Sequence, residues 1–337
     1  MADVEIVTSA HWEGDARLRR HVSYLRAAGH EATITSFAER RRIHAVLGAL
    51  NRVARTSASH ILFPDPELFM PGSALTRLRG KRPLIDIHED YRAVAMSRSW
   101  APRPIRPVVS LMAGVAIRVG RLLAWRTIVA ADHLAQSNDV VVDNIPDPDR
   151  LNPKPGPRRA QMVYVGDVTL ERGALDMVRS LPGLASEAEL LVVGRVSDQT
   201  RQAMEIEASR LGVSGQMRLV GRMSHEEAWE MAASALVGLN LLGNTPAYRE
   251  AVATKVFEYM AVGLPPVVSN LPGQAAVVRQ IDESLVCDSP DDVAVLVKEL
   301  GADPGRYEEL VSRGRQLVEA AWSERRPDLR LQRLFAP

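Results

Sequence analysis

The chain has 337 residues, 46% of them hydrophobic and 25% charged, with one cysteine and a net charge of +1 that splits unevenly. Residues 1–159 carry 24 Lys and Arg against 16 Asp and Glu, and the remainder carry 18 against 25, so a +8 half precedes a −7 half. That length suits two domains with separate cores, and the composition excludes a disordered, fibrous or disulfide-stapled protein.

The opening MADVEIVTSA has neither the basic start nor the apolar core of a signal peptide and reads as an immediate strand. VEIVTS is followed by a helix over Ala16–Ala28, stopped by Gly29, then by the strand ATITSF and a basic helix around Arg41–Thr56. The strands HILFP and PLIDIHED come next, then a helical pattern from Arg106 to Ala124, RTIVAA, and a short final pair near VVVDNIPD. The most apolar run, Pro107 to Ile117, is too short to span a bilayer, although the basic region Arg98–Arg126 leaves peripheral membrane contact open. Residues 143–159, DNIPDPDRLNPKPGPRR, hold five prolines without apolar periodicity and form the linker candidate.

Beyond it the alternation restarts with QMVYVGD, a helix Gly173–Leu181, ELLVVGR, a helix Asp198–Leu211, QMRLVGR, a helix His225–Ala235 and ALVGLNLL. A helix starting at Thr254, PPVVSN, a helix Gly273–Gln280, SLVCD, a helix Pro290–Leu300 and a last helix Pro304–Trp322 complete the chain. Strands alternating with helices mean parallel sheets covered on both faces. The expected fold is α/β, with two Rossmann-like domains facing each other across a cleft. Residues 1–150 form the first, to which a tail 322–337 returns, and residues 151–321 form the second. Cys287, set in SLVCD, reads as core in a reducing cytoplasm. No nucleic-acid partner is expected, and the oligomeric state is not legible.

Ligands of open α/β sheets sit beyond the carboxyl ends of the strands, which directs attention to EAVATKVFEYMAVGLPP, residues 250–266. Thr254 reads as an N-cap, with Val256, Phe257, Met260 and Ala261 as the apolar stripe, Gly263 as a left-handed stop, and Pro265 and Pro266 as a barrier to continuation. A helix N-terminus offers amide donors and the positive end of a dipole to a phosphate, with Lys255 adding charge. On spacing alone, Glu250 and Glu258 are equally well surface carboxylates near a helix start.

The stretch resembles the Glu-x7-Glu signature of retaining glycosyltransferases of family 4, which have the GT-B fold, and KVFEYMAVGLPPVVSNLPG follows the family's run almost position by position. VYVGDVTLERGALDMVRSL, ELLVVGR and MRLVGRMSHEEAWEMAASALVGLNLL resemble its second lobe, while RAAGHEATI and LIDIHEDY resemble parts of its first. The resemblance implies transfer of a sugar from a UDP or GDP donor to a small acceptor by a front-face path with retention. No metal or other cofactor is implied, because no Asp-x-Asp motif stands where the family would use one. Glu258 would bind the ribose, Glu250 would face the anomeric carbon, and His88 would contact the sugar. Gly166, Arg172, Lys255 and the backbone of Thr254 and Val256 would hold the diphosphate, with Arg222 and Met223 near the base.

Two departures stand out. Asp167 follows Gly166 where the family commonly has Arg, leaving Arg172 in the usual lysine position as the cation of that loop. HWEGDARLRR offers only Gly14 where a glycine pair is usual; Gly14 would let the backbone approach the donor phosphates, and Asp15 and Arg17 beside it either contact the acceptor or solvate the loop. Trp322-Ser323-Glu324 resembles the family's closing element, the helix that crosses back onto the first lobe. Rival readings are another GT-B enzyme, such as a nucleotide-sugar epimerase or a phosphorylase, and a nucleotide-sugar sensor without turnover.

Overall fold

The computed structural model of the protein describes residues 1–97, 102–151, 153 and 158–335. The chain divides into two compact units, Met1–Asn144 together with the chain from Arg325 onward, and Ile145–Glu324.

The first unit runs β1 (Asp3–Thr8), α1 (Ala16–Ala27), β2 (Glu31–Ser36), α2 (Arg42–Arg55), β3 (His60–Phe63), α3 (Pro66–Leu78), β4 (Arg82–Ile87), α4 (Tyr91–Ser97), α5 (Arg106–Leu123), β5 (Arg126–Val129) and β6 (Val140–Val141). Its six strands lie parallel in the order β2-β1-β3-β4-β5-β6. All four residues of β3 are buried, which matches a strand covered on both faces. The sequence reading passed directly from HILFP to PLIDIHED, but α3 lies between them. Pro66 starts it in the first turn, where a missing N–H costs nothing, while Pro71 inside it disguised the helical period. Gly72 is required there, since a Cβ would meet the Phe63 ring at 2.8 Å.

The second unit contains β7 (Gln161–Val165), α6 (Ala174–Arg179), β8 (Glu189–Val193), α7 (Asp198–Arg210), β9 (Met217–Gly221), α8 (His225–Ala232), β10 (Val237–Asn240), α9 (Thr254–Ala261), β11 (Pro266–Ser269), α10 (Pro272–Val278), β12 (Val286–Cys287), α11 (Pro290–Ala302) and nearly all of α12 (Pro304–Arg325). These strands are also parallel, in the order β12-β11-β10-β7-β8-β9. Cys287 is buried, and burial pushes its thiol up to about 12. Of the expected linker, residues 152 and 154–157 lie outside the described residues. Before them Ile145 is buried, and after them Arg158 donates to the Ala233 carbonyl at 2.7 Å and lies over the Tyr307 ring.

Arg326 takes a left-handed conformation, φ 39°, between α12 and α13 (Pro327–Arg333). In the first unit α13 packs on α1, buries Leu331 completely and donates from Gln332 to the Tyr24 carbonyl. Phe335 then meets the rings of His60 and Trp125.

Candidate functional site

Strand order reverses direction beside β7, which pairs with both β10 and β8. The loops after β7 and β10 therefore leave the sheet side by side at a topological switch point, where open α/β sheets bind ligands. Those are the two loops that carry Gly166–Arg172 and Glu250–Lys255.

After β7, Gly166 adopts φ 127° and donates its N–H to the Val193 carbonyl at 2.8 Å. A side chain there would meet the Lys255 Nζ at 3.1 Å, and a Cβ on Gly194 would fall 1.9 Å from the Gly166 oxygen. The two glycines let three backbone segments converge. The Lys255 ammonium sits 3.5 Å from the centroid of the fully buried Tyr164 ring, a cation–π arrangement. Arg172 Nη1 donates to the Asp167 carbonyl at 3.0 Å, which also accepts from the Tyr164 hydroxyl at 3.1 Å. Burial, and then the neighbouring Arg172 charge, hold Lys255 well below the usual lysine range, against the opposing pull of Glu258 and Asp167. Two cations kept close at a partly desolvated place favour an anionic ligand.

Asp167 shows why its loop tolerates a reversed charge. Its carboxylate accepts from Arg195 Nη2 at 3.1 Å and lies 3.4 Å from Arg222 Nη2, so arginines following β8 and β9 gather around the acidic residue of this loop. Arg195 was missed in the sequence, although it follows Gly194 as Asp167 follows Gly166, at the end of the adjacent strand. Met223, beyond Arg222, is half-buried against the Trp229 cluster.

The N-cap of α9 is Ala253, not Thr254, which is the first helical residue. No side chain caps the helix, and the Val256 N–H turns back to the Ala253 carbonyl while its side chain is fully buried in the core. Gly263 ends the helix at φ 74°, as its sequence position suggested. Tyr259 fixes the seat of α9. Its hydroxyl accepts from the Val165 N–H at 3.1 Å and reaches the Val163 and Leu239 carbonyls, and its ring fills the space over Gly238. One residue earlier, Glu258 is only 6% exposed, its Oε1 3.1 Å from His225 Nε2. The Trp229 indole nitrogen stands 3.1 Å from the same imidazole nitrogen, which as donor to the carboxylate has no lone pair left to accept the indole proton. Glu258 is thus a buried, oriented acceptor rather than a surface carboxylate, and His225 is a partner the sequence reading did not single out. Glu250 is exposed, and its backbone rests on Gly273, where a Cβ would come within 2.4 Å.

In the first unit, His88 follows β4 and its Nε2 lies 3.0 Å from the Tyr91 hydroxyl. Tyr91 gives its one proton to the Pro64 carbonyl, 3.0 Å away, so His88 Nε2 is the donor in that pair. His88 Nδ1 is buried, 3.9 Å from Asp86. His11, also missed, packs edge-on to His88 at 5.0 Å and bonds Asp15 at 3.1 Å. Burial alone would lower the His11 pKa, but the Asp15 hydrogen bond and the Asp65 charge raise it to about 9. Asp15 and Arg17, for which acceptor contact and solvation were the alternatives, both have partners within the unit. Asp15 caps α1, and Arg17 is buried in a bidentate pair with Asp86 at 2.6 and 2.8 Å. The space above Gly14 is filled by the Trp12 indole, 2.2 Å from where a Cβ would stand.

The arrangement in the second unit suits a ligand with a polyanionic centre and hydroxyl groups, and the fold of the chain is shared with solved structures. Sucrose-phosphate synthase from Thermosynechococcus elongatus shares the fold at a TM-score of 0.75 with 16% identity, over 99% of this chain and 98% of that one. HepE of Anabaena, solved in complex with UDP-glucose, does so at 0.73 with 11% identity over 98% and 97%. A glycosyltransferase from Rickettsia africae follows at 0.64 with 13% identity over 98% and 95%. The GT-B fold expected from the sequence is the fold observed. Residues 149–317, half of the chain, match the family described as glycosyl transferases group 1. This chain is therefore a glycosyltransferase belonging to group 1.

Proposed function

We propose that the protein transfers a sugar from a nucleotide-diphosphate donor, UDP- or GDP-linked, with retention at the anomeric carbon, as in family 4. The observation that carries this reading is the buried Glu258 beside a cationic pair, Arg172 and Lys255, on the two loops of the switch point. Glu258 accepts from ribose hydroxyls. Arg172, Lys255 and the open N-terminus of α9 take up negative charge as it grows on the departing diphosphate, which is the electrostatic part of the catalysis. Glu250 faces the donor sugar, and His88 contacts it. In the front-face path the leaving phosphate oxygen receives the acceptor's proton as the new glycosidic bond forms. The cations replace a metal in this scheme. The UDP-glucose bound in the HepE structure supports a nucleotide-sugar donor.

The test is donor hydrolysis and transfer with UDP-glucose and GDP-mannose, in the presence and absence of EDTA, with the product anomer read by NMR. Retained configuration, EDTA insensitivity and loss of turnover in Glu250→Ala are expected. An inverted product or an EDTA-abolished rate refutes the mechanism, and no turnover from any donor favours the sensor.

A further inference from the structure

The first unit carries a surface feature of its own that does not depend on the donor. One side of its sheet is covered by α2, α3 and α5 packed side by side, with α4 against α5. Of the sixteen large apolar side chains exposed among the described residues, ten lie on these four helices. They concentrate on α5, where Val108, Leu111, Met112, Val115 and Leu122 are 51–75% exposed. Their spacing of three, four and seven places them on one stripe of the helix. A water-facing helix normally carries charge on that stripe, and a contiguous apolar surface of this kind marks an interaction site.

Charge identifies the partner. The sequence of α5, RPVVSLMAGVAIRVGRLL, contains no acidic residue. Beside the stripe, a groove of about 1370 Å³ runs along the helix, lined by Arg92, Arg118, Arg121 and Arg126 as well as by Leu111 and Leu122. Glu89 and Asp90, next to His88, stand in its lining. Arg121 is held by Asp139 at 2.6 Å, while Arg118 and Arg126 are exposed on the surface. An apolar stripe flanked by arginines complements the interface of an anionic bilayer, where apolar side chains enter the acyl boundary and guanidinium groups bind lipid phosphates. A second copy of the chain docking there about a two-fold axis would set these arginines against their own images, with no carboxylate on α5 to pair them.

We propose that α5 is a membrane-docking helix: its Val108–Leu122 stripe inserts into an anionic leaflet, and the arginines of the adjoining groove bind phosphate-bearing lipid headgroups. The docked enzyme would then take an acceptor that resides in the membrane, in place of the small soluble acceptor suggested by the sequence.

The test is co-sedimentation of the full chain with vesicles of phosphatidylcholine alone or with roughly a third phosphatidylglycerol. Binding is expected only to the anionic vesicles, and it weakens as salt is raised. The triple variant Leu111→Gln, Val115→Gln, Leu122→Gln should bind about tenfold or more weakly at low salt, whereas Arg118→Gln with Arg126→Gln should lose mainly the salt-sensitive part. Circular dichroism and donor hydrolysis without vesicles check that each variant is folded. If the triple variant fails to fold, amide exchange in the wild type decides: protection of α5 by anionic vesicles supports docking. Wild-type protein left in the supernatant, binding indifferent to both variants, or α5 amides unprotected by vesicles overturns the proposal. So does a dimer in light scattering that the triple variant converts to monomer, which would assign the face to a second copy.

Discussion

Replacing Lys255 with Met separates the two effects of the site's cation. Lys255 stands over the Tyr164 ring with Arg172 and Glu258 as charged neighbours, and burial holds its pKa well below the ordinary lysine range. A proton therefore binds more readily to the unfolded chain than to the folded one, and stability from this group rises with pH up to the ordinary lysine value near about 10.4. At neutral pH the native state thus carries a penalty that Met removes while preserving contact with Tyr164. The variant should melt at the same temperature or a few degrees higher. Phosphate affinity should change in the opposite direction, because a charge-assisted hydrogen bond contributes about 1.5–3 kcal/mol, corresponding to a roughly 10- to 150-fold rise in Kd for UDP. Isothermal titration with UDP and with uridine, beside a thermal melt, reads both effects. If Lys255→Met binds UDP as tightly as the wild type, or loses uridine and UDP by the same factor, Lys255 does not serve the diphosphate.

Tyr259→Phe leaves the Val165 N–H without its partner beneath α9, and urea unfolding should show a loss of about 1–3 kcal/mol. Gly194→Ala must displace the Gly166 carbonyl and adopt φ 153°, a conformation that costs about 1–3 kcal/mol before any clash, so a lower melting temperature and weaker UDP binding should appear together. His11 is raised from 6.5 to about 9 by its carboxylates, so its stabilisation is complete below pH 6.5 and is lost as pH rises through 9. His11→Gln should flatten the stability profile between those limits, and a slope unchanged from the wild type contradicts the His11–Asp15 pairing.

How much could be read in advance follows from the range of the signals. Parallel strands such as ELLVV and HILF are short apolar runs, and their order of occurrence alone implies a doubly wound sheet. The stretch from the loop after β10 to the end of α9 was legible because Gly263, Pro265 and Pro266 punctuate the end of the helix and because its pattern resembled a known signature. Helix α3 was not, since Pro66 and Pro71 resemble breaks when the fold that accommodates them is out of sight. Side-chain partnerships were the least accessible. The pairing of Asp167 with Arg195 and Arg222 spans 28 and 55 residues, and that of His225 with Glu258 spans 33, distances at which only the sheet order brings residues together. The same limit applies to Arg17, a surface arginine by type that proves to be the counter-ion of Asp86, 69 residues away.

The first unit is built from both ends of the chain, whereas the second is one uninterrupted stretch. During translation the ribosome delivers Ile145–Glu324 whole, while the earlier-born unit waits for its final helix. Until Arg326 turns the chain and Leu331 is inserted, the nascent α1 surface stays uncovered. The first unit is therefore closed by a segment that follows the second one, and removing residues 325–337 should uncover α1 and lower the stability of the first unit.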